Sequence, residues 1–142
     1  MKTLLPFLTM LILTNFASAK DGCLDDFEKA KVQAKAENKK ILLDFTGSDW
    51  CGWCKKLDAE VFSQPAWKEY AAKHLVLVEL DFPRGFQLSP ETKAQNEKLA
   101  QKFKVQGYPT IVITSSSGNR KGELGYTPGG PAAFIKALEK AK

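Results

Sequence analysis

The sequence predicts a single α/β domain in which a mixed central β-sheet carries α-helices on both faces. Three observations predict it. Short apolar runs at Ile41 to Phe45, Leu75 to Leu80 and Ile111 to Thr114 suit strands buried on both sides. Segments with helical spacing of apolar residues stand before, between and after these runs, the alternation that builds layered α/β domains. Turn chemistry at Ser115 to Asn119 folds the third run into a hairpin with a partner around Lys121 to Tyr126, which adds antiparallel pairing at one edge. A chain of 142 residues with 44% hydrophobic content is long enough for one such core and too short for two.

Taken in order, residues 1–19 read as an export signal. Lys2 supplies the positive start, Leu4 to Phe16 the apolar stretch, and Ala17-Ser18-Ala19 the small-residue cleavage site. Pro6, Thr9, Thr14 and Asn15 interrupt the stretch, which falls short of the about 20 apolar residues of a membrane span. Cleavage is therefore expected to leave residues 20–142 as a periplasmic or secreted domain with no stable membrane insertion. A helix is expected from Asp21 to Asn38, with Leu24, Phe27, Ala30, Val32 and Ala34 inward, acidic residues early and lysines late. The first strand, Ile41 to Phe45, holds one carboxylate, Asp44. After the loop Thr46-Gly47-Ser48-Asp49, a helical pattern starts near Cys51 and carries Leu57, Val61 and Phe62 on one side.

Ser63-Gln64-Pro65 ends or kinks that helix, and Ala66 to His74 reads as another. The second strand, Leu75 to Leu80, closes on the turn residues Asp81 to Gly85. Ser89-Pro90-Glu91 caps a mostly polar helix reaching Phe103, and a loop from Val105 to Thr110 enters the third strand. Gly129-Gly130-Pro131 starts the last helix, Ala132 to Ala141, with Phe134, Ile135 and Leu138 toward the core.

The net charge of +5 arises from 21 basic and 16 acidic residues scattered along the chain. No basic stripe or nucleic-acid motif accompanies it, so nucleic acid is not an expected partner.

Export places the three cysteines in an oxidising compartment, where a pair is either a structural staple or a redox couple. Cys51 and Cys54 fall where the first strand passes into the following helix. There the unpaired backbone N–H groups and the helix dipole stabilise a thiolate, which makes Cys51 the expected nucleophile. Cys54, three residues on, shares the first turn, near enough to close a disulfide and expected to be the more buried, resolving thiol. A purely structural disulfide is the alternative, but so small a loop gains little chain entropy. A closed zinc site needs four ligands, and Cys51, Cys54, Cys23 and His74 are dispersed without a second paired motif. Lys55 after Cys54 excludes haem attachment. Cys23 reads as a free, half-buried thiol, with a bond to a second copy or oxidation as alternatives, and His74 as a capping or solvated residue.

Leu43-Asp44-Phe45 before Trp50-Cys51-Gly52-Trp53-Cys54-Lys55, then Gly107-Tyr108-Pro109-Thr110 before a strand, resembles the thioredoxin family over essentially the whole mature chain. The likeness is greatest to its exported bacterial branch, including the thioredoxin-like end domains of membrane thiol-disulfide interchange proteins. It implies a thioredoxin-like fold, a cis Pro109, and a substrate groove bordered by Tyr108, Pro109 and Thr110 and flanked by Trp50 and Trp53. The two tryptophans read as a docking surface for unfolded or partner protein. Asp44 resembles the buried carboxylate that helps move the proton of the second cysteine, and desolvation in an apolar strand raises a carboxyl pKa toward that use.

The sequence departs from ordinary thioredoxins in several places. The connection to Cys51 is one residue longer, Leu77 or Glu79 stands near the place of the lysine that often partners the carboxylate, and Gly52-Trp53 replaces Gly-Pro. The resemblance implies thiol-disulfide exchange, of reductase or isomerase type, on protein substrates with thiols or disulfides, with no metal or organic cofactor. Electrons would come from a membrane thiol-disulfide interchange partner. The alternatives are a disulfide-donating oxidase and a non-catalytic binding module of the same fold.

Overall fold

The computed structural model describes Lys20 and residues 22–142; the expected leader over residues 1–19 lies outside the described residues. The elements run β1 (Cys23–Leu24), α1 (Phe27–Glu37), β2 (Lys40–Thr46), α2 (Gly52–Leu57), a π-helical turn (Asp58–Phe62), α3 (Pro65–His74), β3 (Leu75–Asp81), α4 (Pro90–Lys102), β4 (Thr110–Thr114), β5 (Arg120–Leu124) and α5 (Gly130–Ala141). They form one five-stranded sheet in the order β1-β3-β2-β4-β5. The pairs β1·β3 and β2·β3 are parallel, and β2·β4 and β4·β5 are antiparallel, so the sheet is mixed.

The alternation of side chains along each central strand separates two cores. Ile41, Leu43 and Phe45 of β2, Val76, Val78 and Leu80 of β3, and Val112 of β4 meet Phe27, Ala30 and Ala34 of α1 with Leu99 of α4 and Phe103 beyond it. On the opposite face Leu42, Leu75, Ile111 and Ile113 meet Leu57, Val61, Trp67, Ala71, Phe134 and Leu138 from α2, the π turn, α3 and α5. Burial on both faces is why these strands read as continuous apolar runs, and each fully buried large side chain contributes about 2 kcal/mol.

Four expectations from the sequence are corrected. The first helix does not begin at Asp21: Cys23 and Leu24 pair with Leu77 and Val78, and α1 starts only at Phe27. The Asp26 carboxylate accepts from the Lys29 N–H at 3.0 Å, a cap strong enough to set the helix start there. Val32 is 71% exposed because Phe27, Ala30 and Ala34 define the buried stripe and Val32 falls between its repeats. The helix after Cys51 widens into a π turn, with Ser63 N–H reaching the Asp58 carbonyl at 2.8 Å, and Pro65 then opens α3 as its first residue. Finally, β5 stops at Leu124, before Gly125, which leaves Tyr126 free of the sheet and beside Trp53.

Candidate active site

Strand β2 delivers the chain to the site, and a tightly bonded loop turns it into α2. The Gly47 carbonyl accepts from Trp50 N–H at 3.2 Å and Cys51 N–H at 2.8 Å. A Cβ at Gly47 would lie 2.5 Å from Cε2 of the Trp50 indole, so only glycine admits the ring. Neighbouring side chains anchor the lengthened connection. The Asp81 carboxylate accepts from Ser48 N–H at 2.9 Å and Ser48 Oγ–H at 2.5 Å. The Asp49 carboxylate accepts from Gly85 N–H at 2.5 Å and Arg84 N–H at 3.1 Å, and these bonds hold it below the usual carboxylate range.

Cys51 is the N-cap of α2, with extended backbone (φ −83°, ψ 107°), and its Sγ accepts from Cys54 N–H at 3.2 Å. The same donor that bonds the sulfur here favours a thiolate once the bridge opens. Cys51 and Cys54 are joined as a disulfide with Cα atoms 5.2 Å apart. Each residue is 6% exposed, so the expectation that Cys54 is the more buried does not hold for the bridged form. What separates them is backbone position: Cys51 sits at the helix mouth, while Cys54 lies inside the first turn.

The Tyr108–Pro109 bond is cis. The Tyr108 ring meets Trp50 edge-on at 5.8 Å between centroids and packs on Phe82 at 5.2 Å, which brings this turn against the start of α2. Thr110 is buried, and its hydroxyl donates to the Gly107 carbonyl at 2.7 Å. Its side chain therefore helps to shape the turn, with the hydroxyl proton engaged within it.

The two tryptophans differ. Trp50 is half-buried, donates from Nε1 to the Phe82 carbonyl at 2.8 Å, and has the Arg84 guanidinium 3.7 Å from its ring centroid. Trp53 is 59% exposed and rests on Tyr126 at 5.1 Å, with Lys56 Nζ over both rings at 5.3 and 5.4 Å. Trp53 thus presents an open aromatic face beside the sulfurs, whereas Trp50 is a clamped wall.

Asp44 pairs with Glu79 on β3 and Ile111 on β4, and the strand alternation turns its side chain to the face of Leu42, where α2 and the π turn pack. Its Oδ1 is buried without a hydrogen-bond partner. Burial pushes its carboxyl up to about 7; Lys20 opposes this, and Glu79, Asp58 and Asp81 add to it. Near neutral pH such a group can accept or return a proton.

Asp44 also borders a cavity of about 250 Å³ shared with Lys20, Cys23, Phe62, Trp67 and Leu77. Cys23 is a free, half-buried thiol whose pKa is pushed up to about 12, first by burial and then by Glu79, so it stays protonated at neutral pH. His74 is exposed at the end of α3, its ring against Tyr70 at 4.5 Å, and takes no part in the site.

The reading of the sequence missed Gly47, Asp49, Phe82, Arg84, Lys56 and Tyr126. The extra residue before Cys51 was a signal that this loop needs separate anchoring, but its partners come from the turn after β3, more than 30 residues away. Replacing Asp49 by alanine is expected to free the 84–85 turn and loosen Trp50. KM for a protein disulfide should rise several-fold with kcat nearly unchanged, and Trp50 fluorescence anisotropy should fall. An unchanged KM together with a rigid Trp50 would contradict this.

Comparison with known proteins places the chain in a family. The family profile described as "Thioredoxin-like domain" matches residues 27–142. "Disulfide bond reductase DsbH" of Chlamydia pneumoniae is 34% identical over 117 residues, covering 82% of this chain and 70% of that protein. "Thiol:disulfide interchange protein DsbD" of Actinobacillus pleuropneumoniae is 32% identical over 92 residues, which span 63% of this chain but only 14% of that protein. Among solved structures, "DsbH Oxidoreductase" superposes with a TM-score of 0.77 at 30% identity, covering 89% of this chain and 91% of that one. The oxidised C-terminal domain of Neisseria meningitidis DsbD, 20% identical with a TM-score of 0.59 over 81% of this chain and 91% of that one, shares the fold.

Proposed function

Because this chain belongs to the thioredoxin-like domain family, we propose that it works outside the cytoplasm, after removal of residues 1–19, as a protein-disulfide reductase. It is a thiol-disulfide oxidoreductase whose redox pair is Cys51 and Cys54. The observation that carries the reading is the Cys51–Cys54 disulfide at the mouth of α2, next to the cis Tyr108–Pro109 turn and the exposed face of Trp53. The reductive direction is supported by the name of the DsbH relative.

In the proposed cycle the reduced protein supplies two electrons. Cys51 thiolate attacks one sulfur of a substrate disulfide, the substrate S–S bond breaks, and one substrate thiolate leaves. Cys54 gives its proton to Asp44 and attacks the Cys51 sulfur of the mixed disulfide. The second substrate thiolate departs, and the Cys51–Cys54 bridge closes. A dithiol on a membrane thiol-disulfide interchange protein then reduces the bridge. Tyr108, Pro109 and Trp53 hold the extended substrate segment, and the clamped Trp50 walls one side.

Equilibration against glutathione tests the direction. A potential near −270 mV, the thioredoxin value, is expected. A value near −120 mV would assign the protein to disulfide donation instead.

A further inference from the structure

We propose that Lys20 is a positioning residue for this exchange: the short edge strand β1 carries its ammonium group over the sheet, where it is the counter-ion of the carboxylates gathered around Asp44. The inference rests on the reading of Asp44 as the proton acceptor of Cys54.

The charges gathered here are unusual for a sheet face. Asp44 and Glu79 are register partners on adjacent strands, and the Asp44 Oδ1 has no hydrogen-bond donor. Asp58 comes from the π turn, four residues after Cys54 and so on the same side of that helical stretch. Asp81 adds a fourth carboxylate at the end of β3, but its oxygens are occupied by Ser48. Facing them are Cys23 from β1, a neutral thiol, and Lys68 from α3, an exposed residue on the cavity wall. Lys20 is the cation in direct contact: its Nζ pairs with Asp58 and lies 5.5 Å from the centroid of Phe62, and its side chain is one-third exposed, at 33%.

The backbone explains how Lys20 gets there. Cys23 N–H donates to the Lys20 carbonyl at 2.8 Å, and Cys23 and Leu24 pair with Leu77 and Val78. Two rungs at a sheet edge hold the cation in place. Opposite charge at this range favours the ionised carboxylate, and an ammonium group lost from the cavity leaves like charges in a poorly solvated space. Docking of β1 therefore sets how readily Asp44 takes the Cys54 proton. Burial of the carboxylates raises both Asp44 and Glu79, and the charge of Lys20, held on Asp58 at the cavity that Asp44 borders, opposes it in each.

The test compares Lys20→Gln and Lys20→Arg with the parent protein. Carbon-13 NMR of the Asp44 carboxyl should show its titration midpoint moved upward in Lys20→Gln, with the ionised fraction at pH 7 reduced about threefold. Lys20→Arg should restore the parent curve. In single-turnover assays, the pH profile of the Cys54 attack on a preformed mixed disulfide should move upward with the carboxyl. An Asp44 curve unchanged in Lys20→Gln, with β1 amides still protected from exchange, overturns the proposal. A moved Asp44 curve with an unmoved kinetic profile upholds the counter-ion and overturns the proton-acceptor role instead.

Discussion

Cys51→Ser should lower the rate of insulin reduction, with dithiothreitol as electron source, by about 10³-fold or more. A serine hydroxyl is not ionised near neutral pH and cannot form a disulfide, so the helix mouth would hold its donors around a group that cannot use them. The companion change has a different signature. Cys54→Ser keeps the attacking sulfur at the N-cap of α2 but removes the thiol that displaces the product, so a mixed disulfide with substrate should accumulate and be visible on non-reducing gels. Equal, negligible turnover by the parent protein and Cys51→Ser would leave only a binding role for the aromatic surface. Loss of the trapped species in Cys54→Ser, with Cys51 intact, would reverse the roles assigned to the two sulfurs.

The second large effect concerns stability and its dependence on pH. The Asp44 carboxyl titrates near its ordinary value of 3.8 in the unfolded chain and at about 7 in the folded one, chiefly because burial penalises the charge. The folded state therefore binds the proton more tightly. Below pH 4 Asp44 is protonated in both states and imposes no charge penalty; as pH rises from about 4 to about 7 only the unfolded state releases the proton, and stability falls. A difference of that size corresponds to about 4 kcal/mol by the upper end of the window. Asp44→Asn removes the titration, so its advantage over the parent protein should grow across this window and level off above it. Urea unfolding of both proteins in the bridged form, between pH 4 and 8, measures this. Parallel curves would show that Asp44 is solvated in the folded protein. Glu79, raised by the same burial, remains in both proteins, so only its interaction with the Asp44 charge enters the difference.

A more stable Asp44→Asn variant would also be informative about function. The parent chain retains a carboxylate in an apolar strand at a cost to folding, with Oδ1 left unpartnered. Under the proposed role as proton acceptor for Cys54, the same variant should slow the Cys54 step while leaving the first attack intact.

The amino-acid sequence by itself determined the architecture and the identity of the redox pair. Both are written in local signals: apolar runs of strand length at β2, β3 and β4, caps such as Ser89-Pro90, and two cysteines spaced to share the first turn after a buried strand. The cis turn at Pro109 was legible only through resemblance, since a proline before a strand is equally compatible with an ordinary trans bond.

Tertiary structure decided what surrounds the pair. Trp50 and Trp53 look alike in sequence, yet the turn after β3 clamps the first through Phe82 and Arg84, while the second stays open against Tyr126. Cys23 and Leu24 have helical neighbours in sequence but became a strand because an edge of β3 was available to pair with them, and Lys20 just before them pairs with Asp58 at the cavity that Asp44 borders. Charge environments and aromatic walls are built from contacts between residues tens of positions apart. Their energies depend on distance and desolvation in space, and local sequence pattern specifies neither.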